Sequence, residues 1–146
     1  MRIQSIISLF ALPLLVASFA ASAQDTGIVG RWKTLDDKTG KPMTITEVYQ
    51  AKNGTFAAKI VENLGLPDTC TTCSGKNKGQ PVVGMLTLWG LKPIEGGWGE
   101  GNGYKPSEDR SFKAKKVELI DGGKRLKVTG CVAAFLCRSA EWVRVN

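Results

Sequence analysis

Histidine is absent from this chain of 146 residues. That absence removes the commonest general base, every Ser-His or Cys-His nucleophile pair and the commonest zinc ligand. A hydrolase built on this sequence would have to work with carboxylates, lysine, tyrosine or cysteine. Glu47, Glu62, Glu95 and Glu100 are available, but no spacing singles out two of them, so no catalytic residue is assigned. Nucleotide signatures are missing too. Leu35 stands where a phosphate loop ending at Gly40-Lys41 needs a glycine, and Gly97-x-Gly99-x-Gly101-x-Gly103 lacks the dinucleotide spacing. Nothing in the sequence calls for a cofactor or a metal. Beyond the N-terminal segment no apolar run approaches the roughly 20 residues of a membrane-spanning helix. Internal repeats, low-complexity tracts and linkers are also lacking, so one domain is expected.

What is present begins with an export leader. Arg2 precedes an apolar stretch from Ile6 to Val16, and Ala21-Ser22-Ala23 supplies the small-x-small cleavage pattern. The stretch is too short to span a bilayer, Pro13 interrupts it, and no cysteine sits at the cleavage point to take a lipid. Residues 1–23 therefore read as a cleavable signal peptide and 24–146 as the mature domain, periplasmic or secreted and soluble. Loss of Arg2 lowers the net charge from +7 to +6. A basic envelope protein suits acidic head groups, acidic glycans or an anionic small molecule; the plainer reading is that its lysines solubilise the surface and guard strand edges. Nucleic acid is not an expected partner in that compartment.

The 17 glycines all follow the leader and punctuate short segments rich in Val, Ile, Thr, Trp and Phe, which is how an antiparallel β domain reads. Strands are predicted from Ile28, over Met43–Ala51 and from Thr55 to Glu62, the last two joined by an Asn53-Gly54 hairpin signal. Trp32 is expected to point inward. A long loop, Leu64–Pro81, precedes an apolar strand over Val82–Leu91. From Gly84 to Gly103, 7 of 20 residues are glycine, which implies bulges, close backbone approaches or a mobile flap. Arg110–Ile120 slips phase, since Phe112 and Ala114 share one face and Val117 and Leu119 need the other; a bulge near Lys115-Lys116 reconciles them. Lys124–Ala133 and Cys137–Asn146 complete about eight strands. Closure into a barrel removes the edges of so wide a sheet, and eight strands enclose either packed side chains or one small ligand. A two-sheet sandwich is the competing architecture.

Four cysteines fall in two close pairs. Cys70 and Cys73 bracket Thr71-Thr72 in the long loop, as a structural clip, a dithiol activated by Lys76 and Lys78, or metal ligands. Cys131 and Cys137 bracket the last turn, where a bond would pin the closing hairpin. Pairing 70–73 with 131–137 is the simplest connectivity in an oxidising compartment, with cross-pairing or a four-cysteine zinc site as alternatives. Trp32 and Trp142 read as core or barrel-end packing. Trp89 and Trp98 flank the glycine-rich stretch with Lys92 and Tyr104 nearby, an aromatic and polar set suited to a sugar, lipid or anionic ligand at a barrel mouth.

Taken in order, Gly30-x-Trp32, Asp37-Lys38-Thr39-Gly40-Lys41, Cys70-x-x-Cys73-x-Gly75, Gln80-Pro81-x-x-Gly84, Leu88-Trp89-Gly90-Leu91, Leu126-Lys127-Val128-x-Gly130 and Trp142-x-Arg144 resemble the bacterial secreted family of unknown function numbered 2147. The likeness covers nearly the whole mature chain. It departs from the family's Pro-x-x-Gly-x-x-Tyr stretch, since Tyr104 precedes Pro106 and Ser107-Glu108-Asp109-Arg110 follows without glycine. The resemblance implies a small exported, lipocalin-like barrel without an agreed activity. It also implies that Trp32 closes one barrel end beneath an arginine on the last strand, here Arg144. The function expected is non-enzymatic binding of a small amphipathic or anionic ligand or an envelope component through Trp89, Trp98, Tyr104 and Lys92. The alternatives are thiol-redox or metal handling at Cys70 and Cys73, or a protein-interaction module.

Overall fold

A computed structural model describes residues 27–146; the leader expected over 1–23 lies outside them. Eight strands follow one another around a closed antiparallel barrel: β1 (Gly30–Leu35), β2 (Pro42–Gln50), β3 (Phe56–Asn63), β4 (Leu86–Ile94), β5 (Gly97–Lys105), β6 (Arg110–Ile120), β7 (Arg125–Ala133) and β8 (Leu136–Val145). Each strand pairs with its sequence neighbours. β8 returns to β1 through Arg31 opposite Val145, Trp32 opposite Arg144 and Lys33 opposite Val143. The sandwich is excluded because no strand is left with a free edge.

The barrel has two unlike ends. One carries the chain entry before β1, the β2–β3 and β4–β5 turns and a 3-10 turn over Asp121–Gly123. The other carries the Asp36–Lys41 turn, the long β3–β4 loop, the Pro106–Glu108 turn and the β7–β8 hairpin tip. The main core fills the first half. Trp32, Ile28, Val48, Ala58, Leu88, Leu91, Ala114, Val117 and Leu126 are buried there, with Phe56 and Trp98 packed against them. Burial of such side chains stabilises by roughly 1.5–3 kcal/mol each, so the closed half supplies most of the apolar driving force.

Three adjacent strands change phase along one line. Leu88 and Leu91 are both in the core although three residues apart, and Gly90 between them has φ +68°. Ala114 and Val117 repeat the pattern in β6, where the register against β7 shifts between Ala114 and Lys116. Glu100, with φ +57°, lies between them in β5. The bulge expected near Lys115-Lys116 is thus one of a row that bends the sheet into a barrel.

The glycine-rich stretch is not a flap: most of it lies in β4 and β5, and β5 is paired on both sides. Its predecessor differs from expectation. The strand predicted from Val82 begins only at Leu86, because Val82 and Met85 turn into a second small core with Ile60, Cys70, Cys73 and Tyr104. That core lets the loop between β3 and β4 fold on itself, with Val82 N–H donating to Asp68 O at 2.9 Å and Thr69 bridged to Pro81.

Candidate functional site

At the closed end, Trp32 is wholly buried and its Nε1–H donates to Ile28 O at 2.9 Å. The Arg144 guanidinium lies 4.2 Å above the Trp32 ring. Its Nε donates to Gly123 O at 2.8 Å and its Nη2 to Gly27 O at 2.9 Å. One side chain thereby ties the chain entry, the β6–β7 turn and the buried indole together. The planar fork of arginine allows the stack and both hydrogen bonds at once.

At the opposite end the barrel is open, and a cavity of about 360 Å³ runs inward from the mouth. Its wall is largely apolar, with Met43, Ile60, Phe112, Val128 and Trp142 among the lining residues. Thr34, Thr44 and Thr46 add a hydroxyl ladder on β1 and β2, with 2.7 Å between the first two oxygens and 3.1 Å between the second two. The void exists because of two glycines. A Cβ on Gly103 or Gly130 would collide with the Phe112 ring, which lies flat against β5 and β7 only because neither carries a side chain. Phe112 is therefore laid along the wall.

Charge gathers at the rim. Lys105 Nζ pairs with Asp37 and, at 2.8 Å, with Glu108; Arg110 approaches Glu108 at 3.6 Å. Burial opposes the Lys105 charge, but these two carboxylates outweigh it and raise its pKa. The Lys105 hydrogen bond holds the Glu108 carboxyl below its ordinary range. Asp109 is also lowered, first by Tyr104 O–H, which donates to Oδ1 at 2.7 Å, then by Ser74, whose N–H donates at 3.1 Å. Burial, then the Asp109 bond, pushes the Tyr104 phenol up. Arg138 also lines the cavity, and among the described residues it forms no ion pair.

The four residues expected at a ligand are not brought together. Tyr104 lines the cavity. Trp98 sits in the closed half, edge-on to Phe56 with ring centres 6.1 Å apart. Trp89 and Lys92 lie on the exposed side of β4, outside the cavity lining. Gly90 separates Trp89 from the inward phase. The lining residues that sequence reasoning passed over include Thr44, Thr46, Phe112 and Arg138. Alternation in β2 carried the signal for two of them, since Thr44 and Thr46 share a phase with inward Val48.

Both cysteine pairs form disulfides, Cys70–Cys73 and Cys131–Cys137, and no described cysteine is free. The zinc alternative loses its thiolates to these bonds, and no cluster of three or more metal-ligating residues occurs among the described residues. The first bridge is buried and lies against Pro106 O, to which Thr72 Oγ1 donates at 3.4 Å. It clips the long loop onto the Pro106–Asp109 turn beside the mouth. The second bridge staples the β7–β8 tip.

Residues 30–144 match the family described as "Uncharacterized protein conserved in bacteria (DUF2147)". The chain belongs to DUF2147. Among solved structures it is similar to protein HP1028 from Helicobacter pylori, described as belonging to the lipocalin family. The TM-score is 0.67 at 17% identity, covering 81% of this chain and 82% of the other. That likeness carries the fold: a lipocalin-like barrel. No curated protein matches the sequence.

Proposed function

We propose that this DUF2147 protein is a non-enzymatic carrier acting outside the cytosol, which takes a small amphipathic molecule tail-first into the open end of its barrel. The supporting observation is the one-ended cavity: about 360 Å³, apolar along its wall, with hydroxyls on one side and charge at the rim. Pockets that bind drug-sized ligands start at roughly this volume. An anionic head group fits best. Asp37, Glu108, Lys105 and Arg110 pair directly, whereas Arg138 acts on Glu108 only at longer range and forms no direct ion pair among the described residues, which makes it the lining cation most open to a ligand. Two disulfides support an exported setting, in keeping with the leader pattern. No helix among the described residues is long and apolar enough to cross a membrane.

The Cys70–Cys73 bridge reads as a clip rather than a redox centre. Both cysteines are about 4% exposed, so an attacking thiolate has poor access. The 3-10 turn that follows is also a single turn, Gly75–Asn77.

Titration with the anionic fluorophore anilinonaphthalene sulfonate tests the reading. The parent should bind with one site per barrel. Ala140→Phe, which fills the cavity from β8, should abolish binding while the barrel still melts cooperatively. Arg138→Ala should weaken it by about tenfold, or about 1.4 kcal/mol. Undiminished binding in the filled variant would sink the proposal.

A further inference from the structure

The β7–β8 tip edges the cavity mouth, with Val132, Phe135 and Leu136 on its lining, yet these side chains remain open to solvent. Phe135 is 97% exposed, Leu136 65% and Val132 50%, all within the hairpin closed by the Cys131–Cys137 bridge. Exposed aliphatic side chains occur singly on most proteins, but a fully exposed phenylalanine beside two more apolar groups, on a turn fixed by a disulfide, is a presented wedge. The same end of the barrel carries an imbalance of available charge. Of its acids, Asp37 and Glu108 hold Lys105, while Asp36, Asp68 and Asp109 accept hydrogen bonds from neutral donors and are outnumbered by the basic side chains there. Lys38, Lys41, Lys76, Lys78 and Arg138, on the turns and loop around the same mouth, have no ion-pair partner among the described residues.

We infer that the mouth docks on an anionic lipid bilayer, with Phe135 and Leu136 entering the acyl boundary and the free lysines and Arg138 meeting the head groups. Size separates this from a protein interface. A stable protein contact needs about 800 Å² on each partner, far more than one turn offers, whereas a bilayer accepts a narrow wedge and needs no shaped counterpart. Basic side chains beside an inserted apolar tip are the pairing that holds peripheral proteins on anionic membranes. The disulfide matters because a tip held in shape loses little conformational freedom on insertion. Docking at this end would also set the cavity entrance against the lipid.

Vesicle flotation tests the inference with the mature, oxidised protein. The parent should float with mixed phosphatidylcholine–phosphatidylglycerol vesicles and stay behind with pure phosphatidylcholine. Phe135→Ser combined with Leu136→Ser should lower the partition at least tenfold with the melting temperature unchanged, because both side chains are exposed. Phe135→Trp should float like the parent, and the emission of the introduced indole should shift to the blue on adding the anionic vesicles. Binding that survives the double serine change, that is equal on neutral vesicles, or that leaves the emission of the introduced indole unshifted would overturn it. Because Phe135, Leu136 and Arg138 also edge the cavity, the two readings are separated by Ala140→Phe, which should lose the fluorophore yet float like the parent, so the docking surface and the ligand site can each fail alone.

Discussion

Arg144→Ala is the substitution that most directly probes how the barrel is closed. The side chain makes two charge-assisted hydrogen bonds, to Gly123 O and Gly27 O, and one stacking contact over Trp32. Bonds to a charged group contribute about 1.5–3 kcal/mol each, and a cation–π contact about 0.5–2 kcal/mol. These contributions are not additive, and Arg144 is only half-buried. A net loss of about 3 kcal/mol is therefore expected. For a barrel of this size that corresponds to a fall in melting temperature on the order of 10 °C, readable by near-ultraviolet circular dichroism of the Trp32 environment. Arg144→Lys keeps the charge and part of the stack but cannot reach both carbonyls, so it should recover less than half the loss. A double-mutant cycle with Trp32→Phe isolates the stack from the hydrogen bonds. If Arg144→Ala costs less than about 0.5 kcal/mol, the range of an ordinary surface change, or if lysine fully replaces arginine, the closure reasoning is wrong.

Gly130→Ala should cost about 1–3 kcal/mol through overpacking against Phe112, and it should push that ring into the cavity and weaken fluorophore binding; a neutral change in both readouts would refute the glycine cradle. Replacing Cys131 and Cys137 by serine should lower stability by about 2 kcal/mol, the chain-entropy value for so short a loop, measured by urea unfolding; a loss well above that value would show that the tip supports the barrel directly. Asp109 and Glu108 have depressed folded-state pKa values, so the stability they contribute is present above the ordinary carboxylate range and is lost as pH falls through the folded values, below about pH 4. Hydrogen exchange at the Ser74 amide should accelerate over that window, beyond its intrinsic pH dependence, while the closed-end amides stay protected. Asp109→Asn should abolish the extra acceleration, and a variant that kept it would refute the assignment.

The strands were legible because their signals are local. Trp32 inward, Arg110–Ile120 as one strand with a slip in the middle, and Leu126 and Val128 on one face all follow from period-two patterning. Arg144 was reached through the family likeness rather than through patterning. The ligand site was less legible, because alternation assigns a face but not a half of the barrel. Trp98 points inward yet belongs to the filled half, and Trp89 misses the interior because Gly90 reverses the phase between Leu88 and Leu91. Phe112 could be placed on a face from its own strand, but its role depends on Gly103 and Gly130 on the two neighbouring strands. That arrangement exists only once register is set. Val82 was read as strand because its local composition is apolar; what it covers is a loop core that no period describes.

An eight-stranded interior is wide enough either to fill with side chains or to hold one ligand, and this barrel does one in each half. The closed half takes the large residues, with Trp32, Leu91, Val117, Leu126, Phe56 and Trp98 together. Above them the inward positions become threonine and glycine on β1, β2, β5 and β7, and Trp142 and Val128 form the boundary because they belong to both the core and the cavity lining. A void left by accident in a packed core would cost stability in proportion to its volume. This one opens to solvent, is edged by satisfied hydroxyls, and is kept clear by glycines where any side chain would collide. Stability and vacancy are thus assigned to different ends of the same sheet, so the cavity can remain open without loosening the fold around it.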